Sequence, residues 1–400
     1  MITKIYAEVL EQTAMEQFHS AMDNDFAVKG ALMPDAHTGY SLPIGAVVAT
    51  KDVIVPAWVG YDIGCGMCAL KLDIDISQIT EHKQAIFDNI YKSIPVGFEK
   101  NKSSLNYDIS GLTKKGQEIA IAKKYELSLC SLGGGNHFIE IGEGEKGAVW
   151  IIIHSGSRGV GHGIASHYMT VASSDPSEFE KEFDERSQDV KKHNPDRYED
   201  LKEKFVKKKL GKLKPREGHY NFHVDSQEGK DYIQDMNWCL EYALENRKQM
   251  MRRAIECIQF SVGSILWNFE ELINRNHNHA VERDGAWIHR KGATHAEEGM
   301  LGVIPGNMRD GSFIVKGKGN PDSLYSSSHG AGRVLGRKEA KRVLNLAEFS
   351  DTMQNVTALV TEDTLDESPE AYKDIFRVME LQSDLVEVMD YVVPCINIKG

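Results

Sequence analysis

Along residues 231–258 apolar side chains return every three or four positions, at Ile233, Met236, Leu240, Ala243, Met250, Ala254 and Ile258. That spacing predicts a helix with one face in the core. The run Val149-Trp150-Ile151-Ile152-Ile153 is continuously apolar and predicts a strand buried on both faces. Between 32 and 72 short β-rich runs at 46–49 and 53–55 are broken by Pro34, Pro43, Pro56 and glycines, the pattern of strands and loops. Residues 1–30 read as an amphipathic lead-in, and further helices are predicted over 112–128, 337–347 and 369–388. With neither an internal repeat nor a low-complexity linker, residues 1–400 read as one continuous domain.

One stretch departs from this pattern. Residues 175–190 hold seven acidic and two basic side chains, whereas 191–216 hold eleven Lys or Arg and four Asp or Glu. The expectation is a charged helical insertion on the surface, favoured over an RNA-contacting arm. Net charge is −12, so attraction to nucleic acid must come from a local basic patch. The six scattered cysteines fit reduced thiols rather than a disulfide framework. No apolar run is long enough to span a membrane, and the amino terminus carries Glu8 and Glu11; the protein is expected to be cytoplasmic, with no membrane partner.

The segment Val59-Gly60-Tyr61-Asp62-Ile63-Gly64-Cys65-Gly66-Met67 sets a carboxylate and a thiol three residues apart among three glycines. Clustered glycines mark tight turns or close approach, and an oxygen plus a sulfur on such a turn suits a divalent transition metal if imidazoles arrive from elsewhere. Cys68 reads as a packing residue. Four of the fifteen histidines stand at strand ends or glycine turns: His137 after Gly133-Gly134-Gly135, His154 closing the apolar strand, His277, and His329 before Gly330-Ala331-Gly332-Arg333. Histidines so placed project into clefts with their backbone fixed. His37 sits in a similar turn with nothing adjacent to decide its role. Several short glycine turns, at 133–135, 155–159, 305–308, 316–319 and 329–333, could cup phosphate oxygens with backbone N–H groups. Together these features suggest metal-assisted phosphoryl or nucleotidyl transfer.

Asp62-Ile-Gly-Cys65-Gly-Met, Gly135-Asn136-His137-Phe138-Ile139-Glu140, His154-Ser-Gly-Ser-Arg158-Gly, His277-Asn278, Pro305-Gly306, Ser328-His329-Gly-Ala-Gly-Arg333 and Lys399-Gly400 occur in one order that resembles the RtcB-type RNA ligases over nearly the whole chain. The resemblance implies an α+β fold, a single large domain of mixed β-sheets flanked by helices with the active site in a central cleft. It implies an enzyme that joins an RNA 3′-phosphate or 2′,3′-cyclic phosphate to a 5′-hydroxyl through a covalent histidine–GMP, using GTP and two Mn2+ ions, in RNA repair or tRNA splicing. His329 would be the nucleophile. Cys65 would bridge the two ions, with Asp62 and His137 completing one site and His154 and His277 the other. The guanylate would be held by Asn136, His137, Phe138, Ile139, Glu140, His277, Asn278, Pro305, Gly306, Asn307, Met308, Ser312, the turn His329, Gly330, Ala331, Gly332, and Tyr372 and Lys399. Arg158, Arg333 and Arg337 would bind RNA phosphates, and an archease-type activator is a partner the resemblance brings with it. Two other readings stay open: a metal-dependent cyclic phosphodiesterase without ligation, and a noncatalytic RNA-binding paralogue.

Overall fold

A computed structural model describes residues 2–210 and 212–400. It shows an α+β protein built on two large sheets. The first has five strands in the order Ile2–Ile5, Ala27–His37, Ile44–Thr50, Ala286–Lys291 and Asn278–Arg283. The second runs Ile273–Asn276, Gly66–Asp73, Val149–Ser155, Phe138–Gly144, Val386–Lys399, Ser312–Gly317 and Leu301–Pro305, with two short strands added at its flanks. His277 is the single residue between Ile273–Asn276 of the second sheet and Asn278–Arg283 of the first, so it lies where the sheets meet.

The strand at 149–155 is buried as its apolar run predicts, apart from a half-buried Trp150. The helix expected at 231–258 extends over Gln227–Val262. Ser226 caps its start by accepting from the Gly229 amide, and Gly263 ends it at φ 91°, a conformation glycine adopts without a Cβ clash. Its buried face packs Met250, Ala254 and Ile258 against Leu70, Ile139 and Ile151 of the second sheet in one apolar cluster.

Other expectations are corrected. Residues 112–128 form two helices, Lys114–Ala122 and Tyr125–Ser128, separated at Lys124, which is left-handed with φ 56°. The helix at 337 stops at Val343, and Asn345 starts a new one, Leu346–Thr352, by capping the Ala347 and Glu348 amides. Over 369–388 the only α-helix is Ile375–Glu380; the strand Val386–Lys399 follows. The lead-in contains a strand before its helix Gln12–Met22. Within 175–216 lie the helices Pro176–Arg186, Gln188–His193 and Pro195–Leu210. Their opposite charges meet: Lys202 bonds Asp184 at 3.1 Å and Lys209 bonds Glu182 at 2.8 Å. Among the described residues no helix is long and apolar enough to cross a membrane.

Candidate active site

Strand register assembles the first half of the site. In the second sheet Gly66 lies opposite both Ser155 and Asn276, Met67 opposite His154, and Phe138 opposite His154. Cys65, His137, His154 and His277 therefore all sit at, or one residue beyond, the same end of four neighbouring strands. The Cys65 loop is fixed from beneath by Arg247 of the long helix. This fully buried guanidinium donates to the carbonyls of Gly64 and Ser155 at 2.9 and 2.7 Å and to Asn274 and Asn276 at 2.7 and 2.6 Å. Gly66 has no substitute, since a Cβ there would lie 2.1 Å from the Arg275 carbonyl oxygen.

The sulfur of Cys65 and the Nε2 atoms of His137 and His154 lie within 4.8 Å of one another, all buried. Cys65 Sγ is 3.4 Å from His137 Nε2 and 3.1 Å from His154 Nε2; His154 Nε2 is 3.2 Å from His277 Nε2, and His137 Nε2 is 3.0 Å from Asp62 Oδ2. The other ring nitrogens decide what these atoms can do. His137 Nδ1 and His154 Nδ1 face the Leu132 and Asn136 carbonyls at 2.9 and 3.0 Å. A carbonyl oxygen only accepts, so each Nδ1 carries a proton; His154 Nε2 turns a lone pair inward, and His137 Nε2 would do so once a cation stands between it and the Asp62 carboxylate. Burial lowers the pKa of His154 and His277 well below the usual range, with neighbouring histidines adding to the effect. Burial, then Asp62, pushes the Cys65 thiol well above its usual range. Lone pairs converging with a thiol and a carboxylate in a buried space are the donor set of a divalent cation, which would offset their mutual repulsion and hold the sulfur as thiolate. The residues fit such an ion.

The second half comes from the first sheet, which carries Asp35, and from a separate two-stranded sheet of Ala293–His295 and Ser326–Ser328. His329 follows the short strand Ser326–Ser328, and its ring lies 4.8 Å from that of His277, edge to face. Asp35, fully buried on the strand Ala27–His37, accepts from both the Nδ1 and the backbone N–H of His329, at 2.7 and 3.1 Å. Burial would raise the Asp35 pKa, but the His329 imidazole outweighs it and holds the carboxyl below its ordinary value. With Nδ1–H given to Asp35, Nε2 of His329 carries the free lone pair.

His329 stands at the junction of two adjoining cavities of about 260 Å³ each, which share Ile44, Asn136 and His329. One is walled by Phe138, Pro305, Gly306, Asn307, Met308, Gly330, Ala331, Gly332, Tyr372 and Lys399; the other by Asp62, Cys65, His277 and Asn278. Ile139, Glu140 and Ser312 line neither and are buried in the sheet behind, where Asn397 donates to Glu140 at 3.2 Å. Burial raises the Glu140 pKa to about 7. Arg158 points inward, 3.3 Å from His137 Nδ1, and fills the space a Cβ of Gly133 would need. Arg333 and Arg337 line the first cavity but are already engaged by Glu367, at 3.4 and 2.5 Å. Glu367 also bonds Lys399 Nζ at 2.5 Å and the Tyr372 hydroxyl at 2.6 Å.

Three residues of this site escape sequence reasoning. Asp35 lies two residues before His37 on the strand Ala27–His37, where the sequence suggests a turn, and only its carboxylate could have signalled it; Glu367 has no local motif at all. Lys291, buried in the second cavity wall with its pKa lowered by burial to about 7, reaches the Ala57 carbonyl at 3.1 Å. His37 is found to line the first cavity.

An α+β scaffold carries a buried thiol–imidazole cluster able to hold a metal ion beside a cavity lined by Arg333, Arg337 and Lys399, the kind of site an anion-handling enzyme presents. Comparison with known proteins agrees with the sequence pattern. The family model described as tRNA-splicing ligase RtcB matches residues 17–128 and 122–400. The RNA-splicing ligase RtcB of Escherichia coli K12 is 32% identical over 98% of this chain and 95% of its own length. The tRNA-splicing ligase RtcB of Nanoarchaeum equitans is 27% identical over 88% of this chain and 84% of its own. The chain belongs to the RtcB family.

Proposed function

We propose that the protein is a GTP-dependent RNA ligase that joins a 3′-phosphate or 2′,3′-cyclic phosphate end to a 5′-hydroxyl end through a covalent His329–GMP. The observation that carries this reading is His329, oriented by Asp35, standing between a guanylate-sized cavity and the Cys65 cluster. Asp35 fixes the tautomer, so Nε2 attacks the α-phosphorus of GTP as the bond to pyrophosphate breaks. Asn136, Phe138, the 305–308 turn, the 329–332 turn, Tyr372 and Lys399 orient the guanylate, with Glu140 and Ser312 supporting from behind. The RNA 3′-phosphate then takes the guanylate from His329. This turns a poor leaving oxygen into a good one, which the 5′-hydroxyl displaces as GMP. Arg158, Arg333 and Arg337 steer the RNA phosphates.

Asp62, Cys65 and His137 would hold one divalent ion, and Cys65, His154 and His277 a second, supplying charge neutralisation at the reacting phosphate. Manganese as that ion follows from the family resemblance, because sulfur and imidazole donors alone do not select it. Residues 1–400, insertion included, are taken as one ligase domain, since the site draws on positions from Asp35 to Lys399.

Incubation with α-labelled GTP and manganese tests the reading. The expected result is an acid-labile, alkali-stable label on the protein that is absent from His329→Ala. Opening of cyclic phosphate ends without any protein label would instead support a phosphodiesterase.

A further inference from the structure

Three aromatic rings form a ladder leading out of the catalytic cavity. Tyr40 and Tyr61 line it together with Asp62, Cys65 and His329. Their ring centroids are 5.5 Å apart, and Tyr61 stacks on His162 at 5.1 Å with an interplanar angle of 23°. His162 is exposed and belongs to a second, much larger groove of about 1160 Å³ between the helix Arg158–Ala172 and the charged insertion. The ladder thus joins the reaction centre to a large groove beside it.

Cations accompany it. Lys123 lines the groove beside His162, in space left open by Gly159 and Gly163, whose Cβ atoms would meet its side chain at 3.8 and 3.1 Å. Lys100 Nζ donates to the Lys123 carbonyl at 2.6 Å. Burial lowers the pKa of Lys100, and the nearby positive charges of Lys124, Lys123 and Arg158 add to the effect. Among the described residues none of Lys100, Lys123 and Lys124 is in an ion pair. The opposite wall carries Glu180, Glu199, Asp200 and Glu203, and its Lys202 is held by Glu180 and Asp184; its remaining negative charge would repel phosphates and confine a polyanion to the lysine side. In a chain of net charge −12, a local cationic wall beside the exposed His162 ring, which is backed by the half-buried Tyr61 and Tyr40, is the arrangement that captures an unpaired strand, because a base can extend the stack and each phosphate offers a charge to pair.

We propose that Tyr40, Tyr61 and His162 form a nucleobase-stacking step for single-stranded RNA leaving the catalytic cavity, with Lys100 and Lys123 on its backbone. The proposal rests on the ligase reading above and adds where the strand runs. It requires the nucleotides next to the joined end to be unpaired, because a base held in a duplex cannot reach these rings.

The test is anisotropy of a short labelled single-stranded RNA ending in a 3′-phosphate, bound to the full chain. The RNA is used intact and with abasic sugars at its terminal positions. Tyr61→Leu and His162→Ala are expected to weaken binding of intact RNA about 5- to 100-fold and to change binding of abasic RNA little. Tyr61→Trp restores the intact affinity, and Lys123→Ala weakens both RNAs with a shallower salt dependence. Equal losses on intact and abasic RNA, or Tyr61→Trp binding as poorly as Tyr61→Leu, would overturn the step. Labelling of wild type by GTP alongside base-independent binding sinks only this proposal; base-dependent binding without labelling sinks only the ligase reading.

Discussion

The Asp35 carboxylate and the His329 imidazole are joined twice, through ring Nδ1 at 2.7 Å and through the backbone N–H at 3.1 Å. One oxygen therefore sets both the tautomer of the proposed nucleophile and the position of its main chain. The geometry separates the two effects. His329→Ala removes the attacking atom and is expected to abolish labelling by GTP. Asp35→Asn keeps the size but can offer its amide to the ring, favouring the wrong tautomer. The labelling rate, followed by single-turnover assay, is expected to fall by about 10²- to 10⁴-fold. A rate within threefold of wild type would mean that Asp35 serves only packing.

The Cys65 cluster predicts an ion-binding phenotype separable from catalysis. Cys65→Ala removes the sulfur 3.4 and 3.1 Å from two imidazoles. The variant is expected to lose bound metal, measured by elemental analysis after gel filtration, and with it all GTP labelling. Full labelling in Cys65→Ala would refute a bridging role for the thiolate.

Arg247 makes a stability prediction. Its four hydrogen bonds tie the Cys65 loop to two strands. Arg247→Met leaves two buried carbonyls and two amide side chains short of a donor. The expected loss is about 3–5 kcal/mol in denaturant unfolding. Its native-state signature is faster hydrogen exchange at Gly64 and Cys65.

Glu367 predicts a pH dependence. Burial would raise its pKa, but Lys399 and Arg337 bring it down from 4.5 to about 2. A depressed carboxyl contributes stability that is fully present above its unfolded value and lost as pH falls through the folded one. Unfolding free energy should thus decline between about pH 4.5 and 2, by on the order of 2–3 kcal/mol from this group. In Glu367→Gln that portion of the slope should vanish, which parallel denaturant titrations at pH 5 and pH 3 would reveal.

What the sequence made legible follows from how local each signal is. The helix Gln227–Val262 shows itself through seven apolar positions on one turn-spaced face, and the strand at 149 through an unbroken apolar run. Residues 369–388 mislead because Val378, Leu381 and Leu385 keep a helical spacing across a break. The chain leaves its helix after Glu380 and the β-branched run from Val386 takes over. At the site, histidines beside glycine turns announce themselves, whereas Asp35 and Glu367 gain their roles only from partners supplied by distant chain. Arg333 and Arg337, which the resemblance assigns to RNA phosphates, are held by one buried carboxylate whose place in the chain gives no sign of it.

The distance between Asp35 and His329 along the chain, 294 residues, has a bearing on biosynthesis. Non-local pairings of this kind form late, after the entropy of closing a long loop has been met. A nascent polypeptide that already holds Asp62, Cys65, His137 and His154 would still lack the imidazole proposed to take up nucleotide. In the proposed reaction no GMP can be loaded until translation has passed residue 329, so unfinished copies would be inert towards GTP.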